Sequence, residues 1–311
     1  MHDEQSSASP AAGPLGDIAV VVVSYRSATH LAQLLPSLPT EQLADVVVVD
    51  NKSDDDSVAV ARRCKGVTVI ANDTNAGFGA ACNLGAASTR ADADLLFLNP
   101  DARITPSDLE RLHETLTTTP RCGLVAPRLF RGDVPLTSSG DEATVRGELR
   151  RFAPRFLAAR LPDRRHPAER AVTGPVAYAE GACMLVRREA FDAVGGFDPY
   201  FFLFFEELDL GHRLRAAGWS VVLDADVRAE HAVAASRGSL PDNARAALVD
   251  GTVRYFLKWR GRLIARAFVW LATPMWWLRV ARRQLTRAEL RAYRAAAKSA
   301  LHAPRRTQPP R

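Results

Sequence analysis

The chain has four cysteines in 311 residues, Cys64, Cys82, Cys122 and Cys183, and none forms a CxxC pair or any other short spacing. That excludes a thiolate zinc ribbon and a disulfide-stapled secreted scaffold, and it fits buried thiols in a reducing compartment. An apolar run long enough to span a bilayer is also missing. The candidate, Ala267–Leu278 (AFVWLATPMWWL), has twelve residues and is interrupted by Pro274, whereas a spanning helix needs about 20. The first 16 residues are small and polar, with no basic stretch ahead of an apolar core. They read as a disordered leader, not a signal peptide. A dinucleotide fingerprint is incomplete. Gly77 and Gly79 follow a strand-like run, but Cys82 stands at the third glycine position, and no acid ends a strand about 20 residues on. A positive excess is missing before residue 258. Lys258–Arg311 holds fourteen Lys or Arg against one acid, Glu289, for a net +13, while the whole chain is +6 and the remainder therefore −7.

What is present is a rhythm of apolar strands. Ile18–Arg26 (IAVVVVSYR), Val46–Asp50 (VVVVD) and Val67–Ala71 (VTVIA) are β-branched runs of the kind buried on both faces of a parallel sheet, and Asp94–Leu98 (DLLFL) is a fourth strand. Helical spacing separates them at about 29–38, 57–64 and 79–88. The alternation predicts an α/β fold, a mostly parallel Rossmann-like sheet flanked by helices. Ligands of such sheets sit beyond the carboxyl ends of the strands. Polar residues fall there: Ser24, Tyr25 and Arg26, then Asp50 and Asn51, then Asn75, then Asn99 and Asp101 around Pro100.

The segment Phe201–Trp219 (FFLFFEELDLGHRLRAAGW) sets Glu206, Glu207 and Asp209 directly after five residues that are all Phe or Leu. A helical pattern follows through Leu210 and Leu214 and stops at Gly218. Carboxylates beside so apolar a run need a partner, a cation or a chemical task. The competing reading is simple complementation of a helix dipole.

Seven motifs stand in order: VVVSYRS, VVVVDNKSDD, NAGFGAACNLG, LFLNPDA, EGACMLVRREAFDAVGGFDPYFF, FEELDLGHRLRAAGW and HAVAAS. Together they resemble glycosyltransferase family 2, GT-A fold, in its rhamnosyltransferase-like branch, over about residues 18–240. The resemblance implies inverting transfer of a hexose from a nucleoside diphosphate sugar to an acceptor hydroxyl. The branch implies dTDP-L-rhamnose as donor and a polyprenyl-diphosphate glycan as acceptor, in cell-wall or surface polysaccharide synthesis. It assigns the nucleotide sugar to Ser24, Tyr25, Arg26, Asp50, Asn51, Asn75, Gly77, Asn83, Asn99 and Gly181. Gly77 and Gly79 would admit a ligand close to the backbone, and Gly181 would leave room under the sugar.

A divalent metal, Mg²⁺ or Mn²⁺, is implied at Asp101, where this branch has NPD in place of DxD, with His231 as second ligand. Ala234 and Ala235 replace glycines usual after that His. The base falls by position on Glu207, with Glu206 and Asp209 as alternatives and Asp209 also placed to orient Arg213. Asp198 either touches the acceptor or caps a turn. His212 reads as a helix surface residue, and Ser53 or Asp54 as the cap of the helix at Ser57. Two rivals remain. A catalytically inactive scaffold of this fold would not need Asp50, Asp101, Glu207 and His231 together. A nucleotidyltransferase with a related sheet would want a Gly-rich phosphate loop where SYRSATH stands.

The organisation expected is a leader at 1–16, a GT-A domain at 17–240, a helical, basic, Trp-rich region at 241–302 and a disordered tail at 303–311. Trp270, Trp276 and Trp277, bracketed by Arg266 and Arg279, suit an anionic membrane surface. The alternative is an amphipathic helix packed on the catalytic domain. No nucleic-acid motif accompanies the basic residues. The enzyme is thus expected in the cytoplasm, peripheral at the inner face of the plasma membrane. Residues 130–173, rich in Arg and Pro, read as a mobile acceptor flap whose Arg150, Arg151, Arg155, Arg160, Arg164 and Arg165 could meet a lipid diphosphate.

Overall fold

The computed structural model describes residues 15–158, 172–232 and 242–302. Its first half alternates β1 (Ile18–Ser24), α1 (Ala28–Leu34), β2 (Asp45–Asp50), α2 (Ser57–Arg62), β3 (Thr68–Ala71), α3 (Phe78–Ala87) and β4 (Asp94–Leu98). There follow β5 (Ala102–Ile104), α4 (Pro106–Thr118), β6 (Cys122–Arg131), β7 (Val134–Pro135), β8 (Ser139–Gly140), α5 (Val145–Phe152) and α6 (Arg155–Ala158). The chain continues through β9 (Gly174–Pro175), β10 (Tyr178–Ala179), β11 (Cys183–Val186), α7 (Arg188–Ala193), α8 (Glu206–Ala216) and β12 (Ser220–His231), and ends in α9 (Asp242–Trp259), α10 (Arg262–Ala281) and α11 (Arg287–His302).

The main sheet runs β3-β2-β1-β4-β11-β6-β12-β5. β1, β2, β3 and β4 are mutually parallel, while β11 enters antiparallel between β4 and β6. Alternation along β1 explains the two layers. Ile18, Val20 and Val22 face a core shared with Leu31 and Leu34 of α1 and Leu109, Leu112 and Leu116 of α4. Ala19 and Val21 face the other, shared with Cys82 of α3, Phe191 of α7 and Leu210 and Leu214 of α8. The third apolar run differs from expectation. β3 is the sheet's edge, with Thr68 and Ala71 exposed and Val69 and Ile70 half-buried, since only β2 covers it. Leu15, counted with the leader, is buried in the first core.

A third core joins the sheet body to the C-terminal helices. Phe152 of α5, Phe201, Phe205 and Leu208 pack with Val249, Val253 and Phe256 of α9, Phe268 and Trp276 of α10 and Tyr293 of α11. The C-terminal helices are thus packed on the body, and Trp276 is fully buried between Phe152 and Tyr293. α10 still keeps an outer stripe, with Leu263 82%, Trp270 75% and Trp277 49% exposed. No described helix is long and apolar enough to cross a membrane. The described part of the expected flap, up to residue 158, carries β7, β8, α5 and α6, and α5 buries Phe152 in this core. Arg160, Arg164 and Arg165 lie outside the described residues, as do Ala234, Ala235 and the segments 1–14 and 303–311.

Candidate active site

The register pairs Ser24 with Asp50, so the ends of β1 and β2 lie side by side. Asp50 is buried and accepts from the Ser53 amide at 2.8 Å and the Ser53 hydroxyl at 2.6 Å. Ser53 Oγ in turn accepts from the Arg26 amide at 2.8 Å, which holds Arg26 left-handed at φ 53°. The Arg26 guanidinium sits 2.6 Å from Asp54 in solvent. Ser53 and Asp54 therefore tie β1 to β2 instead of capping α2, whose first residue Ser57 bonds Asp55. Ser24 Oγ is buried with no hydrogen-bond partner among the described residues. Such an orphan costs stability unless something arriving at this edge satisfies it. Tyr25 stands half-exposed beside it.

Asn51 and Asn75 organise the next loop. Asn51 Nδ2 donates to the Gly77 carbonyl at 3.0 Å and Oδ1 accepts from Asn72 at 2.9 Å, while Asn75 Oδ1 accepts from the Gly77 amide at 3.0 Å. Gly77 is demanded by the protein itself. At φ 88°, an added Cβ would fall 2.3 Å from the Phe202 carbonyl, and one on Gly79 would fall 2.9 Å from Phe197 Cβ. Gly181 is the opposite case: an added Cβ would meet Phe78 at an ordinary 3.6 Å, so no described residue demands glycine there. Asn83 grips the Phe197 backbone, donating to its carbonyl and accepting from its amide, both at 2.8 Å. This side chain ties α3 to the turn before the acidic segment, and both its polar atoms are engaged.

β11 being antiparallel, its start meets the end of β4. Cys183 pairs with Leu98, and the Asn99 amide donates to the Ala182 carbonyl at 2.9 Å. Ala182 is thus set beside Asn99, with Glu180 and Gly181 just before it in the chain. β12 pairs antiparallel with β5 so that His231 lies opposite Ala102. His231 Nε2 consequently stands 3.4 Å from Asp101 Oδ1, each side chain about one-sixth exposed. A carboxylate oxygen and an imidazole nitrogen converging at a partly open strand end fit a divalent cation such as Mn²⁺ or Mg²⁺. No set of three or more His, Cys, Asp or Glu ligands forms among the described residues.

The acids lie at the start of α8. Phe204 and Phe205 are both left-handed, at φ 67° and 73°, a cost of roughly 1–3 kcal/mol each for bulky residues. That paired turn swings the chain into α8, so Glu206 is buried and Glu207 half-buried. Burial pushes the Glu206 carboxyl up to about 8, with Glu180 adding to it. Burial, then Glu206 and Glu180, raise Glu207 well above the ordinary carboxylate range. Glu206 Oε2 has no hydrogen-bond partner among the described residues. Arg151 of α5 opposes this negative cluster: burial lowers its pKa, while Tyr178, Glu180 and Glu207 act to raise it.

Asp209 is differently placed. It is fully buried, with Arg213 Nε at 2.7 Å, Lys258 Nζ at 2.6 Å and Trp259 Nε1 at 2.9 Å. Of the expected roles, orientation of Arg213 matches this geometry, and the surrounding cations hold the carboxylate in the interior. Asp198 caps, accepting from the Tyr200 amide at 2.9 Å, and also meets Lys258 at 2.7 Å. His212 is no plain surface residue. Its ring lies 3.8 Å from Trp259 and its Nδ1 is 2.8 Å from Glu142, which also binds Arg215 and Arg260. Glu180, Lys258 and Trp259 escaped the sequence reading, and Arg151, expected on a mobile acceptor flap, instead packs inward beside Glu148 and the acids. Glu180 had a signal, an acid entering an apolar strand, but Lys258 was hidden in the basic tail.

A mostly parallel sheet with polar strand ends, an Asp–His pair and buried glutamates fits a glycosyltransferase, and known proteins point to the same class. A family model described as glycosyl transferase family 2 matches residues 19–195. An N-acetylglucosaminyl-diphospho-decaprenol L-rhamnosyltransferase of Mycobacterium tuberculosis is 32% identical over 279 residues, 83% of this chain and 87% of that protein. Among solved structures, a mannosyltransferase from Pyrobaculum calidifontis in complex with GDP-Man and Mn²⁺ matches at TM-score 0.53 and 15% identity, covering 92% of this chain and 87% of the other. GalNAc-T7 with UDP, GalNAc and Mn²⁺ matches at TM-score 0.56 and 16% identity, over 80% of this chain but only 51% of its own. The architecture is therefore GT-A-like. The chain belongs to glycosyltransferase family 2, in its rhamnosyltransferase-like part.

Proposed function

We propose that this chain transfers L-rhamnose from dTDP-L-rhamnose, with inversion, to a hydroxyl of a polyprenyl-diphosphate-linked N-acetylglucosamine in cell-wall synthesis. What supports this reading is a chain of contacts: the Asp101–His231 pair follows Asn99, the Asn99 amide bonds the Ala182 carbonyl, and Glu180, two residues before, acts on both Glu206 and Glu207. The curated relative supplies the choice of sugar and acceptor. Asp50, Ser24 and the Tyr25–Arg26 corner hold the nucleoside, with Asn51, Asn75 and Gly77 shaping the wall. Gly181 leaves room beneath the sugar. Asp101 and His231 would hold Mg²⁺ or Mn²⁺, which when bound neutralises charge on the diphosphate.

Glu207 is the base. It takes the acceptor proton as that oxygen bonds to the anomeric carbon, and the bond from that carbon to the diphosphate oxygen breaks on the opposite face, its electron pair leaving with dTDP. A raised carboxyl suits this task because a base works best when its pKa lies near the working pH. Asp209 serves the fold of the segment. The α10 stripe, with Arg262, Arg266 and Arg279 on the same helix, lies on the anionic inner face of the plasma membrane, where a lipid-borne acceptor resides.

The test is incubation with dTDP-L-rhamnose, a short-chain polyprenyl-diphosphate N-acetylglucosamine and Mg²⁺ or Mn²⁺, with mass and NMR analysis of the product. A rhamnosylated lipid of inverted anomeric configuration is expected. Turnover of other donors only, or retention of configuration, would overturn the corresponding part.

A further inference from the structure

Lys258 belongs by sequence to the basic tail, yet its side chain is only 9% exposed. Its ammonium lies 2.7 Å from Asp198 Oδ2 and 2.6 Å from Asp209 Oδ1. These two aspartates are the first and last residues of DPYFFLFFEELD, the stretch that contains both left-handed phenylalanines, Glu206 and Glu207. One buried cation thus joins the two ends of the segment presenting the acids. The neighbouring Trp259 indole donates to the same Asp209 oxygen at 2.9 Å. α9 also seats directly on the strained turn: a Cβ on Gly251 would fall 2.8 Å from the Phe204 carbonyl.

We propose that Lys258 is a positioning residue for catalysis, a cross-link from the C-terminal helices that holds the Asp198–Asp209 segment closed so that the carboxyl at Glu207 meets the acceptor hydroxyl. The inference rests on Glu207 as base. Two consecutive left-handed phenylalanines would relax toward ordinary backbone if unheld, because that conformation persists only where its surroundings over-determine it. An opposite charge between two carboxylates supplies that restraint without touching the nucleotide. Among the described residues Lys258 meets Asp198, Asp209 and the Phe201 and Trp259 rings, none of them assigned to the donor, so its loss acts on turnover. A displacement of about 1 Å in a catalytic group costs on the order of 10²-fold in rate.

The experiment measures kcat, donor KM and thermal midpoint for full-length Lys258→Met, Lys258→Arg, Asp198→Asn and Glu207→Gln. Lys258→Met is expected to lose about 10²-fold in kcat with donor KM unchanged. Lys258→Arg should recover much of that loss. Asp198→Asn leaves the buried Asp209–Lys258 pair in place, frees only the front of the segment, and should lose less. A Lys258→Met protein that is merely less stable, with kcat per folded enzyme unchanged, overturns the proposal, as does a parallel rise in donor KM. If Lys258→Met does not fold, Asp198→Asn decides alone: full turnover overturns the proposal, and a kcat loss at constant KM supports it. Glu207→Gln separates the two readings. If it retains turnover the base is elsewhere, yet a kcat-only loss in the Lys258 and Asp198 variants still assigns them to positioning this segment.

Discussion

His231 Nε2 stands 3.4 Å from Asp101 Oδ1 because β12 returns beside β5 and sets the last residue of one strand against the turn that starts the other. The pairing joins two motifs distant in the chain at the sheet edge where a diphosphate would lie. Asp101→Ala is expected to abolish Mg²⁺- or Mn²⁺-dependent donor binding with the fold intact, and His231→Ala to weaken it. Calorimetry of dTDP-sugar binding with and without metal checks this. Metal-stimulated turnover near wild type in Asp101→Ala would end the assignment.

Glu207→Gln keeps the shape of the side chain and cannot take a proton. Nucleotide binding should persist while kcat falls by roughly 10²–10⁴, the usual worth of a general base. Glu206→Gln should cost less. A reversed order moves the base to Glu206.

The raised carboxyls make stability depend on pH in an unusual direction. Glu206 titrates near its ordinary value when unfolded and at about 8 when folded, so between those values the native state binds more protons. Stability should therefore fall as pH rises through that window, where a salt-bridged acid would give the opposite slope. Glu206→Gln should stabilise the protein more at pH 8.5 than at pH 5, on the order of 1.4 kcal/mol per pKa unit, read from the thermal midpoint, while the part of the slope due to Glu207 remains. Equal effects at both pH values would show that Glu206 is ionised in the native state. In turnover, the same substitution should move the acid limb of the kcat profile downward, since Glu206 is among the groups raising Glu207.

The strand pattern carried most of the fold, because β1, β2 and β4 are buried on both faces and so read as unbroken apolar runs. The polar strand ends followed from that, as did Asp101 and His231 through the motifs. What stayed hidden depends on contacts far apart in the chain. Asn83 was expected near a nucleotide from its motif, and its bonds to the Phe197 peptide are a structural role that no local spacing reveals. Gly77 was expected for close ligand approach, and its tight fit against Phe202 is likewise invisible in the sequence. Lys258 was counted only among the basic residues of the tail, because composition cannot distinguish a buried cation from an exposed one.

α10 presents two tryptophan environments that separate packing from membrane contact. Trp276 is fully buried against Phe152 and Tyr293, and Trp276→Ala should destabilise the protein by about 3–5 kcal/mol, the range for emptying a large aromatic site. Leu263, Trp270 and Trp277 face outward, and replacing all three by Ser should leave the thermal midpoint nearly unchanged. Binding of the triple variant to anionic liposomes should drop sharply, as should transfer to a lipid-borne acceptor, while donor hydrolysis persists. Wild-type binding should weaken between about 0.05 and 0.5 M salt as the arginine contribution is screened, leaving a remainder that the tryptophans supply. Deleting Lys258–Arg311 is not a clean version of this test. It removes Trp276 from the third core and the cation from Asp209, so the truncated chain is expected to unfold or lose turnover even with soluble acceptors. Co-sedimentation of wild type and the triple variant over phosphatidylglycerol vesicles decides the matter: equal binding would show that the outer face of α10 does not meet the membrane.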